Sequence, residues 1–235
     1  MKSGKTYQDH GGADPPCKHC MLAAQCPAAM AGALDPRRPF AIARSFKRGT
    51  RLQREGERPA GLLFIKSGLL GIRQTGMDGI ERAIAVIGPG FLIGQPAAHR
   101  QTAVLTAQAL TAVSVCELPP PMMQALMQQS SEEGLRMAHY TRQSVISLTA
   151  WSQVVRMPGL LLRMASALRI LAAFQAPSSI QLPSQVMLAE LLCVTRESVN
   201  RAWKDLELRG IVRRRHANAV DLDLPALEKM LTGDN

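Results

Sequence analysis

The sequence has no apolar run long enough to cross a bilayer. No uninterrupted stretch approaches the roughly 18 residues required, and the alanine-rich segment 21–34 is broken by Gln25, Cys26, Pro27 and Gly32. The residues before that segment carry Asp9, Asp14, Pro15 and Pro16, which does not suit a secretory leader, so no membrane partner and a cytoplasmic location are expected. A glycine-rich phosphate loop is missing, as is any convincing nucleophile–base arrangement, and with them go the common enzyme signatures. Acidic residues are few: 18 Asp and Glu stand against 28 Lys and Arg, a formal net charge of +10 that favours a polyanionic partner such as nucleic acid. Cysteine is also sparse, at five residues, Cys17, Cys20, Cys26, Cys116 and Cys193. An odd count argues against a simple disulfide framework. In a reducing compartment, clustered thiols more often hold a metal or act as redox groups.

What is present is ordinary globular material. Hydrophobic residues make up 46% and charged residues 20% of 235 residues, enough for two domains with cores of their own. From about residue 45 to 118, short apolar runs alternate with turn signals, and the reading is an all-β domain. Asp78-Gly79 and Gly88-Pro89-Gly90 mark reversals. The run ending at Leu118 alternates Ala109, Thr111, Val113 and Val115 against Leu110, Ala112, Ser114 and Cys116, which places Cys116 near the end of one continuous strand. Beyond Pro119–Pro121 the period becomes helical: Met137, Tyr140, Leu148, Trp151 and Val155 form one stripe, packed on the chain's own β domain or forming a dimer seam. Met157-Pro158-Gly159 ends that helix. A second amphipathic helix follows over 161–172, then a Pro/Ser-rich connector over 175–184.

The segment 182–212 carries the clearest function. Ser184 is placed to cap a first helix whose inward face is Leu188, Ala189 and Leu192, and Thr195 to cap a second after a turn at Cys193 and Val194. In the second helix Val199, Ala202, Trp203 and Leu206 form a buried stripe, while Arg196, Glu197, Asn200, Arg201 and Lys204 share the opposite face. That face suits a DNA major groove: Arg reads guanine, Glu accepts from cytosine, Asn can pair with adenine and Lys reaches phosphate. Arg213, Arg214 and Arg215 stand in a following basic hairpin, where a wing would meet the phosphate backbone.

An α+β chain with an N-terminal β-roll, a long helix and a C-terminal winged helix containing "TRESVNR" resembles the Crp/Fnr family of bacterial transcription regulators. The resemblance implies a cyclic-nucleotide-binding-like β-roll over 40–120, a dimerisation helix over 121–156 and a winged helix-turn-helix over 157–235. It further implies a homodimer on a palindromic double-stranded DNA site, RNA polymerase as a partner, and base-reading roles for Arg196, Glu197 and Arg201. Two positions depart from the family pattern: Cys193 stands where glycine is usual in the turn, and Asn200 where serine or glycine is commoner. Relatives that bind cyclic nucleotide use a Gly-Glu carboxylate and an Arg-Ser pair. Here the matching stretches read Ile93-Gly94-Gln95 and Gln101-Thr102-Ala103, with Arg100 one residue out of step on a strand, so cyclic nucleotide is not expected.

The N-terminal spacing C-x2-C-x5-C and the residues around Cys116 are similar to the oxygen-sensing Fnr branch. That resemblance implies a [4Fe-4S] cluster on Cys17, Cys20, Cys26 and Cys116, within a cysteine-containing segment over 1–39 and sensitive to oxygen or nitric oxide. A structural zinc on the same thiolates, although a five-residue gap is wide for zinc, and a metal-free thiol switch beside Lys18 and His19 remain open. Haem on His99 or His139 has no supporting motif, and an iron-sulfur enzyme would need a second cofactor or substrate motif that is missing.

Overall fold

A computed structural model describes residues 20–27, 42–119, 131–175, 180–216 and 219–233. The chain divides into two compact units, residues 1–70 with 88–144 and residues 71–87 with 145–235.

The first unit is built on β1 (Ile42–Phe46), β2 (Arg51–Gln53), β3 (Leu62–Ser67), β6 (Leu92–Ile93), β7 (Thr106–Ala109) and β8 (Val113–Leu118). Four of these form an antiparallel sheet in the order β1-β8-β3-β6, and β2 pairs with β7. β3 is buried from Leu62 to Ile65, which is why it reads as a continuous apolar run and not as an alternation. The expected single strand ending at Leu118 is broken at Leu110–Ala112. There the Leu110 N–H donates to the Leu69 carbonyl and the Thr111 hydroxyl accepts from the Leu69 N–H, so these residues serve a turn. Gly94 sits at φ 89°, and a Cβ there would meet the Gly61 carbonyl oxygen at 2.1 Å, a clash that only glycine avoids.

The second unit opens with a hairpin of β4 (Leu70–Thr75) and β5 (Glu81–Ile87), turning at Asp78-Gly79 as the dipeptide predicts. Asp78 accepts from the Arg82 guanidinium at 2.6 Å and from the Ile80 N–H, and these bonds hold its carboxyl down at about 2. Helix α1 (Ser131–Val154) lies inside the expected dimerisation segment; residues 120–130 fall outside the described ones. Its apolar stripe faces inward: Tyr140, Trp151 and Val154 are buried, and the Trp151 indole donates to the Val86 carbonyl at 3.1 Å. The stripe therefore packs on the chain's own strands. The opposite face of α1 exposes Leu135 and Ile146, which are 11 positions apart and so lie within about 20° of each other around the axis.

Helix α2 (Leu160–Ala172) begins after Gly159, at φ 77°, and buries Met164, Ala165, Leu168 and Leu171. Helices α3 (Gln185–Leu192) and α4 (Arg196–Leu208) pack on it and on each other. A three-stranded sheet β10-β11-β9 follows, from β9 (Ile180–Gln181), β10 (Val212–His216) and β11 (Ala219–Leu222). The connector expected over 175–184 thus contributes a short strand. Helix α5 (Leu224–Thr232) follows, capped by the Asp223 side chain, which accepts from the Ala226 N–H at 3.0 Å, and ended by Gly233 at φ 76°. Among the described residues no helix is long and apolar enough to cross a membrane.

Candidate functional site

Two groups of residues carry the chemistry. The first lies in the β unit, where Cys26 and Cys116, each 2% exposed, share an apolar cluster with Leu62, Phe64, Leu92, Leu118 and Tyr140. Local structure explains both positions. Cys26 follows a single 3-10 turn, Ala23–Gln25, whose last N–H bonds return to Cys20, Leu22 and Ala23, folding the segment back on itself. Cys116 sits on β8 directly across from Phe64 of β3 and from Ala43 of β1. The Tyr140 hydroxyl donates to the carbonyl of Gln25, the residue before Cys26, and the Tyr140 ring meets Phe64 edge-on at 6.2 Å. Cys20 is half-buried, and Cys17 lies outside the described residues. Among the described residues no three His, Cys, Asp or Glu side chains converge as a ready metal site. Two of the four candidate thiols thus lie in one buried apolar cluster with Tyr140 of α1, and a donor set of thiols in such surroundings suits a thiophilic metal or cluster.

The nucleotide positions of the same unit are differently occupied. The Gln95 amide donates to the Leu92 carbonyl at 3.1 Å. Arg100 is not on a strand as expected; it ends a 3-10 turn, Gln95–His99, in a left-handed conformation at φ 55°, and its side chain is exposed.

The second group is the exposed face of α4. Thr195 caps the helix by accepting from the Ser198 N–H at 3.2 Å, and Ser184 caps α3 by accepting from the Met187 N–H at 3.3 Å. Between the two helices Cys193 adopts the left-handed conformation that glycine usually fills, at φ 55° and ψ 48°. Val199, Ala202, Trp203 and Leu206 are buried, which turns Arg196, Glu197, Asn200, Arg201 and Lys204 outward together. The Glu197 backbone N–H and the Thr195 hydroxyl, with Arg196 and Arg201 close by, hold the Glu197 carboxyl below the usual range, so it stays an acceptor at neutral pH. Arg201 donates to the Ser198 hydroxyl at 3.2 Å, which fixes the direction of its fork.

In the hairpin the three arginines differ. Arg214 lies over the Trp203 ring at 5.9 Å and within 3.6 Å of Glu207, while Arg215 pairs with Asp221 at 3.1 Å. Arg213 is exposed opposite Asp221 in the β10–β11 ladder. One residue that sequence reasoning missed is Gln185: its side chain donates to the Asn200 carbonyl oxygen at 2.7 Å and accepts from Arg196 Nε at 3.4 Å. Its position directly after the Ser184 cap is the signal that could have found it.

This geometry has relatives. Residues 43–130 match the cyclic nucleotide-binding domain family, and residues 156–230 match the Crp-like helix-turn-helix domain family. The transcriptional activator protein FnrL of Cereibacter sphaeroides is 23% identical over 225 residues, covering 90% of this chain and 89% of that protein. Among solved structures, FixK2 of Bradyrhizobium japonicum superposes with a TM-score of 0.70 at 18% identity, over 80% of this chain and 96% of its own. TTHB099, a CRP-family transcriptional regulator of Thermus thermophilus, gives 0.63 at 24% identity over the same shares of the two chains.

Proposed function

Because the chain belongs to the Crp/Fnr family of DNA-binding transcription regulators, which are not enzymes and usually act as homodimers, we propose that its operator binding is governed at the cysteine pocket by a [4Fe-4S] cluster sensitive to oxygen or nitric oxide. The observation that carries this reading is the burial of Cys26 and Cys116, far apart in sequence, in one apolar cluster with Tyr140 of α1. The likeness to FnrL supports the same branch. Cys17, Cys20, Cys26 and Cys116 would hold the cluster, which when bound supplies an oxidant-labile link among four thiolates.

The chain's own residues do the rest. Leu62, Phe64, Leu92 and Leu118 keep water from the thiols, and the Tyr140 hydroxyl ties the Gln25–Cys26 segment to α1. Leu135 and Ile146, on the far side of that helix, form the dimer seam with a second copy. Each copy offers one α4 face and one wing, and two weak half-site contacts joined in a dimer bind far more tightly than either alone, so a change at the pocket becomes a change in DNA occupancy. The regulator works in the cytoplasm, with RNA polymerase as its protein partner.

The deciding experiment purifies the protein without oxygen, measures iron and acid-labile sulfide per chain, and follows the visible spectrum as air enters. Roughly four of each, lost in air together with operator binding and lost in Cys116→Ala, is the expected result. Zinc in a colourless, air-stable protein would replace the cluster by a structural metal, and a metal-free protein whose DNA binding follows the thiol redox state would replace it by a cysteine switch.

A further inference from the structure

Gln185 joins two residues of the DNA-reading face, and the direction of its hydrogen bonds is fixed by chemistry. Arg196 can only donate, so the atom of Gln185 that faces Arg196 Nε is its carbonyl oxygen, at 3.4 Å. The amide nitrogen of Gln185 must then face Asn200, and it donates to the Asn200 Oδ1 at 2.7 Å. This leaves the Asn200 Nδ2–H2 group pointing away from Gln185 on the exposed face of α4. An asparagine reads adenine by offering both an acceptor to N6–H2 and a donor to N7. With its oxygen turned toward Gln185, Asn200 presents its donor group outward.

We propose that Gln185 is a positioning residue for base specificity: through a one-way relay Arg196 → Gln185 → Asn200, it presents Asn200 as a donor, which finds an acceptor on guanine (O6 and N7), adenine (N7) or thymine (O4) but none on cytosine, so that cytosine is rejected at the contacted position. This replaces the two-bond adenine reading that Asn200 alone suggests by a reading of acceptor edges. Glutamate at 185 would reverse the relay, because a carboxylate only accepts: it would take the Asn200 Nδ2–H and turn Oδ1 outward, toward the amino groups of adenine or cytosine.

The test uses the full-length protein on a DNA pool randomised across both half-sites, followed by affinities on palindromes that differ at one symmetric base pair. Asn200→Ala identifies the position concerned, as the one whose preference it removes. At that position the wild type should disfavour cytosine by roughly tenfold against the other three bases on the contacted strand. Gln185→Ala should flatten the preference, and Gln185→Glu should shift it to adenine or cytosine. Both variants are read as ratios between sites, so a uniform loss of affinity or a change in thermal stability does not enter. A wild type that selects cytosine there, an Asn200→Ala protein with every preference intact, or Gln185 variants that keep the wild-type ratio would each overturn the relay.

Discussion

The guanidinium of Arg73 grips both carboxylate oxygens of Glu190, at 2.6 and 3.0 Å, and thereby binds the β4–β5 hairpin to α3, the first helix of the helix-turn-helix. The same Glu190 accepts from the Ala83 N–H at 2.6 Å, and Arg73 also donates to Glu81 at 3.1 Å. All three side chains are more than two-thirds buried. Glu190→Ala should therefore cost about 1–3 kcal/mol in chemical denaturation, since it removes the two-bond partner of Arg73 and leaves the Ala83 N–H without this acceptor. A double-mutant cycle with Arg73→Ala should give a coupling of at least about 0.5 kcal/mol; independent, additive losses would make the pair a mere neighbour contact.

Ile146 is half exposed on the face of α1 opposite the buried Trp151. If that face is the dimer seam, Ile146→Glu should raise the dimer dissociation constant by roughly tenfold or more while leaving the monomer's thermal midpoint nearly unchanged. Sedimentation of the variant decides: an unaltered dimer would place the seam elsewhere.

The wing arginines should separate in salt titrations of DNA binding. Arg213→Ala should weaken binding to specific and random DNA alike and lower the salt slope by about 1, as a phosphate contact does. Arg214→Ala should in addition lower stability, by about 0.5–1 kcal/mol, because Arg214 covers the Trp203 ring. An unchanged slope in both would remove the hairpin from the DNA interface.

Acid should loosen the β4–β5 turn late. The Asp78 carboxyl titrates at about 2 when folded against 3.8 unfolded, so its contribution is fully present above pH 3.8 and is lost as pH falls towards about 2. Asp78→Asn should unfold at a lower temperature than the wild type at pH 7, with the gap closing in that acid window. A gap independent of pH would mean that the Arg82 pairing does not contribute.

The helix-turn-helix was legible because its determinants are local. Two caps, a period of 3.6 and one polar face all lie within 31 residues, and each was found where the spacing put it, including the left-handed Cys193. The inward stripe of α1 was legible as a stripe, but not its partner, because periodicity says which residues share a face and not what covers them. The break between β7 and β8 was hidden for a similar reason. Leu110 and Thr111 alternate as a strand would, and only the Leu69 backbone, over 40 positions earlier, diverts them into a turn. Gln185 escaped because its role is a pair of hydrogen bonds across a turn, which no single-helix pattern records.

The order β1-β8-β3-β6 also sets a timetable. Among the described residues β1 pairs with β8, Ile42 opposite Glu117 and Phe46 opposite Val113, so the first described strand of this sheet waits for its last. At about 5–20 residues per second on the ribosome, that wait is on the order of 3–14 s, during which the edge of β1 and the thiol of Cys26 are without their final neighbours. Cys116 reaches Cys26 only when that sheet closes. A metal or cluster held as proposed by both thiols would therefore be completed only after the β domain has been synthesised.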